Sequence, residues 1–243
     1  MNKVPFSPEC PDFFELPLDG DAGNKKWVIT SANSDYMIGS FDGTVFTPET
    51  SKLHGHCGGG FYAAQTFSDI APKDGRRIRI GWLQAQAPGM AFNQEMSLPM
   101  ELKLVTTPAG PRMTWTPVEE LKALRGKAHR IDALTLNPGD ANPLADIHGD
   151  ALEIRVKITP GEAKQFSLNV RGASVVYDAA TQEVLLNGQR AKVPLHNGSL
   201  ELAIYLDRTT IEVFTDGGLV YMPQPFISKA ENTSSKSVQR EVR

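Results

Sequence analysis

The sequence predicts an all-β protein made of two β regions joined by one short helix. Two observations carry this. Short runs rich in β-branched and aromatic residues recur along most of the chain between turn-forming pairs, and only one stretch, TPVEELKALRG (116 to 126), has its apolar residues at helical spacing. At 243 residues the chain is long enough for two modest cores.

The elements follow in order. SPECPDFFELP (7 to 17) sets Glu9 between Pro8 and Pro11. Each proline fixes φ, removes a donor and pushes the residue before it toward extended geometry, so Glu9 is aimed. An aimed carboxyl suits general acid/base chemistry, which needs the proton within reach of a substrate oxygen. On the motif alone, a Pro-rich loop with one solvated glutamate is the favoured reading. WVITS (27 to 31), DYMIGSF (35 to 41), TVF (44 to 46), FYAAQTF (61 to 67), RRIRIGWL (76 to 83) and MSLPMELKLV (96 to 105) read as a meander of antiparallel strands, with turns at Asn33-Ser34, Asp42-Gly43 and Lys73-Asp74-Gly75. In the helical stretch, Val118, Leu121 and Leu124 share a face, and Glu119 and Glu120 sit in the first turn, where the helix dipole favours acids.

After Gly126 the pattern is cleaner. In DALEIRVKI (150 to 158), Leu152, Ile154, Val156 and Ile158 alternate with Glu153, Arg155 and Lys157, which marks a half-buried strand. SLELAIYLD (199 to 207) repeats the alternation. VVYDAATQEVLLNG (175 to 188) reads as a hairpin across Ala179-Ala180-Thr181 followed by an Asn187-Gly188 turn. Strands of this length with turns every ten or so residues predict a β-sandwich. The polar tail AENTSSKSVQREVR is expected to fray.

Charge and composition exclude several partners. The net charge is −3, from 25 Lys+Arg and 28 Asp+Glu, with no basic run to track a phosphate backbone, so nucleic acid is not expected. No stretch approaches the roughly 18 consecutive apolar residues of a membrane span, and Met1 to Lys3 lead into Pro-broken sequence instead of a signal-peptide core. Neither a membrane nor a targeting segment is expected. Two cysteines, Cys10 and Cys57, make no disulfide framework and leave the compartment open.

Several motifs stand in a telling order: Glu9-Cys10-Pro11-Asp12, Phe14-Glu15-Leu16-Pro17, FYAAQTF, RIGWL, EMSLPMELKL and LDRTTIEVF (206 to 214). In this order and over nearly the whole chain, the sequence resembles glycoside hydrolase family 32, which contains the invertases, inulinases and levanases. The resemblance implies a five-bladed β-propeller with the active site in its central funnel, joined to a C-terminal β-sandwich. It also implies retaining cleavage of β-fructofuranosyl bonds by an Asp nucleophile, a second Asp that steadies substrate hydroxyls, and the Glu of Glu-Cys-Pro as acid/base. Glu9 matches the acid/base, Cys10 a residue lining the fructose pocket, Trp82 an aromatic at that pocket, and Tyr62 a weaker third contact. Aromatic and Cys side chains are equally common in plain cores. In a retaining enzyme the nucleophile and the acid stand about 5–5.5 Å apart. Asp12 and Glu15 lie on the same strand as Glu9's motif, whereas the family draws its carboxylates from different blades, so neither is read as the nucleophile.

The sequence departs from the family in one large respect. The Trp-Met-Asn-Asp-Pro-Asn-Gly nucleophile motif and the Arg-Asp-Pro motif, which precede Glu-Cys-Pro, do not occur. The expected organisation is therefore a partial propeller of about the last two blades (1 to 110), a linker with the short helix (111 to 126) and the sandwich (127 to 243). LHGHCGGGFY (53 to 62) also departs: Gly58 to Gly60 replace the family's acidic residue before Phe-Tyr-Ala. His54, His56 and Cys57 are metal-ligand types, yet three within four residues and no distant fourth make a poor tetrahedron. A flexible Gly-rich loop with no metal or other cofactor is the reading taken. His129, His148 and His196 fall in linker or turns. Three functions remain open: a hydrolase half that works only with an N-terminal propeller partner, a non-catalytic fructan-binding module, and an inactive relic. The partners expected are a fructan or sucrose-type carbohydrate, with an N-terminal propeller half or self-association covering the cut propeller.

Overall fold

The computed structural model describes residues 6, 9–137, 139–227 and 238–241. Pro8, on one side of Glu9, lies outside them. Residues 12–117 form two four-stranded antiparallel blades. In one, β1 (Asp12–Leu18), β2 (Asp21–Thr30), β3 (Tyr36–Phe41) and β4 (Phe46–Pro48) follow each other in sequence. In the other, β5 (Phe61–Thr66), β6 (Arg77–Leu83), β8 (Met100–Thr107) and β9 (Gly110–Pro117) do the same, and the two-residue β7 (Glu95–Met96) pairs with the far end of β6. A single parallel pairing, Leu18 with Leu104, joins the blades. This is a partial propeller.

The strand carrying Asp12 and Glu15 is β1, with Phe14 and Leu16 its buried pair. In the blades, the strand absent from the sequence reading is β9. β9 pairs with β8 along its whole length, from Thr107↔Gly110 to Met100↔Pro117. The segment expected to open the linker therefore belongs to the second blade as far as Pro117. The expected helix is a 3-10 helix over Glu119–Leu124 with no buried residue, and Leu124 is 81% exposed. Its apolar spacing has nothing to pack on, so no longer α-helix is stabilised.

The sandwich follows an irregular, largely exposed stretch. Its four-stranded sheet runs β10 (Leu152–Ile158), β15 (Leu200–Leu206), β16 (Thr210–Thr215), β17 (Val220–Pro225). The five-stranded sheet runs β14 (Gln189–Lys192), β13 (Glu183–Leu186), β12 (Ala173–Asp178), β11 (Gln165–Val170), β18 (Val238–Glu241). The tail read as fraying thus supplies an edge strand over its last described residues. Asn187 (φ 45°) and Gly188 (φ 92°) make the tight turn between β13 and β14, a left-handed pair that glycine and asparagine tolerate. One apolar core lies between the two sheets, built on Val175, Tyr177, Val184, Ile204, Ile211 and Val213.

A second core welds the sandwich to the blades. It joins Phe14, Val28 and Ile38 of the first blade, Leu83, Met100 and Trp115 of the second, and Phe214 and Tyr221 of the sandwich. Tyr221 stacks on Phe214 at 4.8 Å and meets Phe61 edge-on at 5.6 Å. Such offset and edge arrangements are the favoured geometries for aromatic pairs.

The Gly-rich segment is part of this weld and is not a loose loop. Cys57 N–H donates to the Tyr221 carbonyl at 2.8 Å, and Gly59 N–H donates to the Pro223 carbonyl at 2.8 Å. The segment lies along the free edge of β17, which its two prolines keep out of ordinary pairing. A Cβ on Gly58 would run into the Pro223 carbonyl oxygen, and one on Gly60 into the Pro225 ring. Gly58 and Gly60 leave no room for a Cβ where the segment meets β17, whereas Gly59 faces only the end of the Gln224 side chain.

Candidate active-site wall

Glu9 sits just ahead of β1, with its backbone carbonyl accepting from Ala32 N–H at 3.0 Å. Cys10 follows at φ 44°, a left-handed conformation that costs a non-glycine residue on the order of 1 kcal/mol. Gln65 Nε2 donates to the Cys10 carbonyl at 3.0 Å, and Thr66 donates to Asp12 through both its N–H (2.8 Å) and its hydroxyl (2.6 Å). The Glu-Cys-Pro-Asp segment is thus held to β5. Asp12, with one oxygen taken by Thr66, serves that anchoring.

On β5 a bulge re-aims the side chains. Register passes from Tyr62↔Trp82 to Gln65↔Ile80 with an extra residue on β5, and Ala63 takes φ 47°. Bulges of this kind bend a strand and redirect a residue beside functional sites. The consequence here is that the Tyr62 hydroxyl donates to the Glu9 carboxylate. That bond, first, together with burial, pushes the Tyr62 phenol up from its usual range. Trp82 stands directly opposite Tyr62 across the β5–β6 ladder, on the same face, and its indole N–H donates to Gln94 Oε1 at 3.3 Å. Among the described residues Glu9, Tyr62 and Trp82 therefore form one continuous row, with Cys10 at its head.

Behind the row lies Arg79, wholly buried in the second blade. Its Nη2 donates to the carbonyls of Ser31 (2.8 Å) and Ala64 (3.2 Å), and its guanidinium lies 5.5 Å over the Trp115 ring. Burial pulls its pKa down to about 10, against the pull of Asp12. By clamping the carbonyls at 31 and 64 it fixes the two chain segments that flank Glu9.

The histidines of the 53–62 segment are dispersed. His54 Nδ1 pairs with Asp35 Oδ1 at 2.7 Å, and Asp35 also receives Lys52 and Asn33. Burial works against the Asp35 carboxylate, but the bonds from His54, Lys52 and Asn33 outweigh it and hold its pKa below the usual value. The His56 ring meets Phe61 edge-on at 5.4 Å, and burial brings its pKa down to about 4. Cys57 packs against the sandwich core, and burial raises its thiol.

An open cleft of about 710 Å³ adjoins Trp82, between the β6–β7 loop and the sandwich loops at Asp150 and Asp207. No sequence signal marked it, because its two walls lie more than 50 residues apart in the chain. Glu212 was missed for a related reason. It sits on β16 between the two modules, 3% exposed, accepting from Leu98 N–H at 2.9 Å and from the Tyr221 hydroxyl at 2.5 Å. Burial pushes its carboxyl up to about 7.

Fold and site together define a class: propeller blades docked on a β-sandwich, presenting a carboxyl flanked by aromatic rings. Residues 2–117 match the Glycosyl hydrolases family 32 N-terminal domain and residues 120–237 the Glycosyl hydrolases family 32 C terminal, so the chain belongs to glycosyl hydrolase family 32. A levanase of Bacillus subtilis (strain 168) is 34% identical over 86% of this chain and 37% of its own length. An extracellular exo-inulinase of Aspergillus ficuum is 26% identical over 86% of this chain and 48% of its own. Among solved structures, the exo-inulinase of Aspergillus awamori superimposes with a TM-score of 0.81 at 21% identity, covering 96% of this chain and 55% of that one. The fructan 1-exohydrolase IIa of Cichorium intybus superimposes at 0.73 and 18% identity, covering 96% and 58%. The chain thus spans between a third and a half of these curated relatives.

Proposed function

We propose that this chain supplies the acid/base carboxyl and one aromatic wall of a retaining β-fructosidase site acting on a fructan or sucrose-type carbohydrate, with the nucleophile supplied by propeller blades outside these 243 residues. The observation that carries the reading is the Glu9–Tyr62–Trp82 row. A carboxyl held by a phenol beside a flat indole places a proton donor where a sugar ring packs on its apolar face. Glu9 would protonate the leaving glycosidic oxygen, then take a proton from the water that releases the sugar from the covalent intermediate. Among the described residues no second carboxylate meets Glu9, and Asp12 is bound to Thr66. The attack on the anomeric carbon therefore falls to a group outside these 243 residues. Losing one member of such a unit typically removes most of its rate.

The test is fructose release from sucrose, levan and inulin. Purified chain should release none above background. Mixed with a polypeptide carrying the preceding propeller blades of a relative, it should gain activity that Glu9→Gln abolishes. Hydrolysis by the chain alone, lost on Glu9→Gln, would show that the nucleophile is present here after all.

A further inference from the structure

We propose that Arg79 is the positioning residue of the Glu9–Tyr62 pair: one buried guanidinium holds both the segment against which Glu9 is fixed and the bulge that aims Tyr62, and the proton donor stays in place only while it does so. This rests on the β-fructosidase reading and deepens it from the reacting carboxyl to the group that aims it.

The position of Arg79 argues against a packing role. Along β6 the alternation turns Arg79, Gly81 and Leu83 to the buried side, a row in which an apolar side chain is expected. Arginine is almost never fully buried unless it is paired. Yet Arg79 makes no ion pair among the described residues, and its Nε and Nη1 find no partner there. Asp12 and Cys10 act on its charge without bonding to it, and His56 feels that charge in turn. A buried cation with two idle donors is costly, which is why burial pulls its pKa down to about 10. Stability alone would favour an apolar residue of similar volume.

The bonds that Arg79 does make converge on the site. Nη2 alone donates to both the Ser31 and the Ala64 carbonyls. Ala32, next to Ser31, donates its N–H to the Glu9 carbonyl at 3.0 Å and accepts at its own carbonyl from Ala64 N–H at 3.4 Å. The bulge takes Ala63 and Ala64 out of the β5–β6 register, so the Ala64 carbonyl turns to Arg79 instead of to the ladder. Glu9, Ala32, Ala64 and Arg79 thus belong to one connected set of bonds, and Tyr62 stands at the edge of the bulge that this set fixes. Reacting groups keep their geometry when the parts that aim them are themselves locked by hydrogen bonds. A misplacement of about 1 Å, even from a change remote from the chemistry, can cost on the order of a hundredfold in rate.

The experiment follows the five tyrosine phenols of the whole chain by NMR of ring-labelled protein across alkaline pH. Glu9→Gln identifies the coupling: the Tyr62 phenol, held above the ordinary 10 chiefly by its bond to Glu9, should move back toward it. Arg79→Met should produce the same movement with Glu9 intact. Arg79→Lys should restore most of the native titration, because a single nitrogen makes both native bonds and an ammonium has donors for both. If Arg79→Met does not fold, Arg79→Gln decides in its place, since its amide stops two atoms short of Nη2. Tyr36 and Tyr221, whose phenols burial raises, report on the core and should titrate as in the native protein throughout. In the complementation assay the neutral variant should lower kcat about a hundredfold and leave KM near the native value. A native Tyr62 titration in the neutral variant would overturn the proposal, and so would a change at Tyr221 as large as that at Tyr62, which would make Arg79 a core residue only. If Tyr62 does not answer to Glu9→Gln, the Tyr62–Glu9 bond is absent in solution, and the reading of the site falls together with the role of Arg79.

Discussion

Glu212 shows what one residue experiences when two modules meet. On an isolated sandwich, β16 would bury Ile211 and Val213 and turn Glu212 and Phe214 to water. Here every residue of β16 is buried, since the second blade covers the outer face. The carboxyl is satisfied by Leu98 N–H and the Tyr221 hydroxyl, yet burial still favours its neutral form and sets the pKa near 7, above the ordinary 4.5. The folded state therefore holds a proton that the unfolded chain releases. Its stabilising effect is complete below pH 4.5 and is lost as pH rises through about 7, a loss on the order of 3 kcal/mol for a fully buried group. Buried His56, with its pKa lowered to about 4, gains stability over part of the same range, but it does so in both proteins; relative to Glu212→Gln, whose carbonyl still accepts from Leu98, the melting temperature of the native protein should therefore fall between pH 4.5 and 8. Parallel curves for the two proteins would mean that Glu212 titrates normally.

At the scale of elements, the seam between β17 and the 57–60 segment is where sequence and geometry constrain each other most tightly. Gly58 abuts the carbonyl of Pro223, which is backbone and cannot swing aside, whereas Gly59 faces only the end of the Gln224 side chain at 3.3 Å. Gly58→Ala should cost about 1–3 kcal/mol in chemical denaturation, as overpacking of a close contact does. Gly59→Ala should lie within about 0.5 kcal/mol of the native protein, the usual range for substitutions away from tight features. Equal midpoints for the two variants would show that the seam opens readily.

For the whole molecule, two surfaces decide behaviour in solution. The face of the first blade turned away from the main core carries the half-buried Phe13, Trp27 and Phe41, with Phe13 stacked on Trp27 at 4.6 Å between centroids and Phe41 edge-on to both. Contiguous apolar surface of this kind favours association. Light scattering should show concentration-dependent association that Trp27→Lys reduces; a monodisperse monomer at all concentrations would mean that the aromatic cluster closes itself. The second surface is the stretch between the modules, where Lys127 and Arg130 stand exposed with no strand to hold them. Trypsin should cut there first. The two halves should then co-elute, because the joint core of Phe61, Trp115, Phe214 and Tyr221 does not depend on that connection. Separation of the halves on gel filtration would show the weld to be weaker than its burial suggests.

Much of this protein was legible in the residues alone. Alternation in DALEIRVKI and SLELAIYLD determined the sandwich strands and which of their faces turn inward, because a period of two leaves one choice once a core exists. The ordered motifs from Glu9 to LDRTTIEVF pointed to the family and to Glu9, Cys10, Tyr62 and Trp82 as candidate site residues. What lay beyond reach was everything set by segments far apart in the chain. That Tyr62 meets Glu9 goes with a bulge at Ala63, that Gly58 and Gly60 are close-packed depends on Pro223 and Pro225, and that Glu212 is buried depends on Leu98. Periodicity reports which face of a strand is apolar. It carries no record of what will cover the other face, and in this chain that second contact decides where the charges, the glycines and the cleft are found.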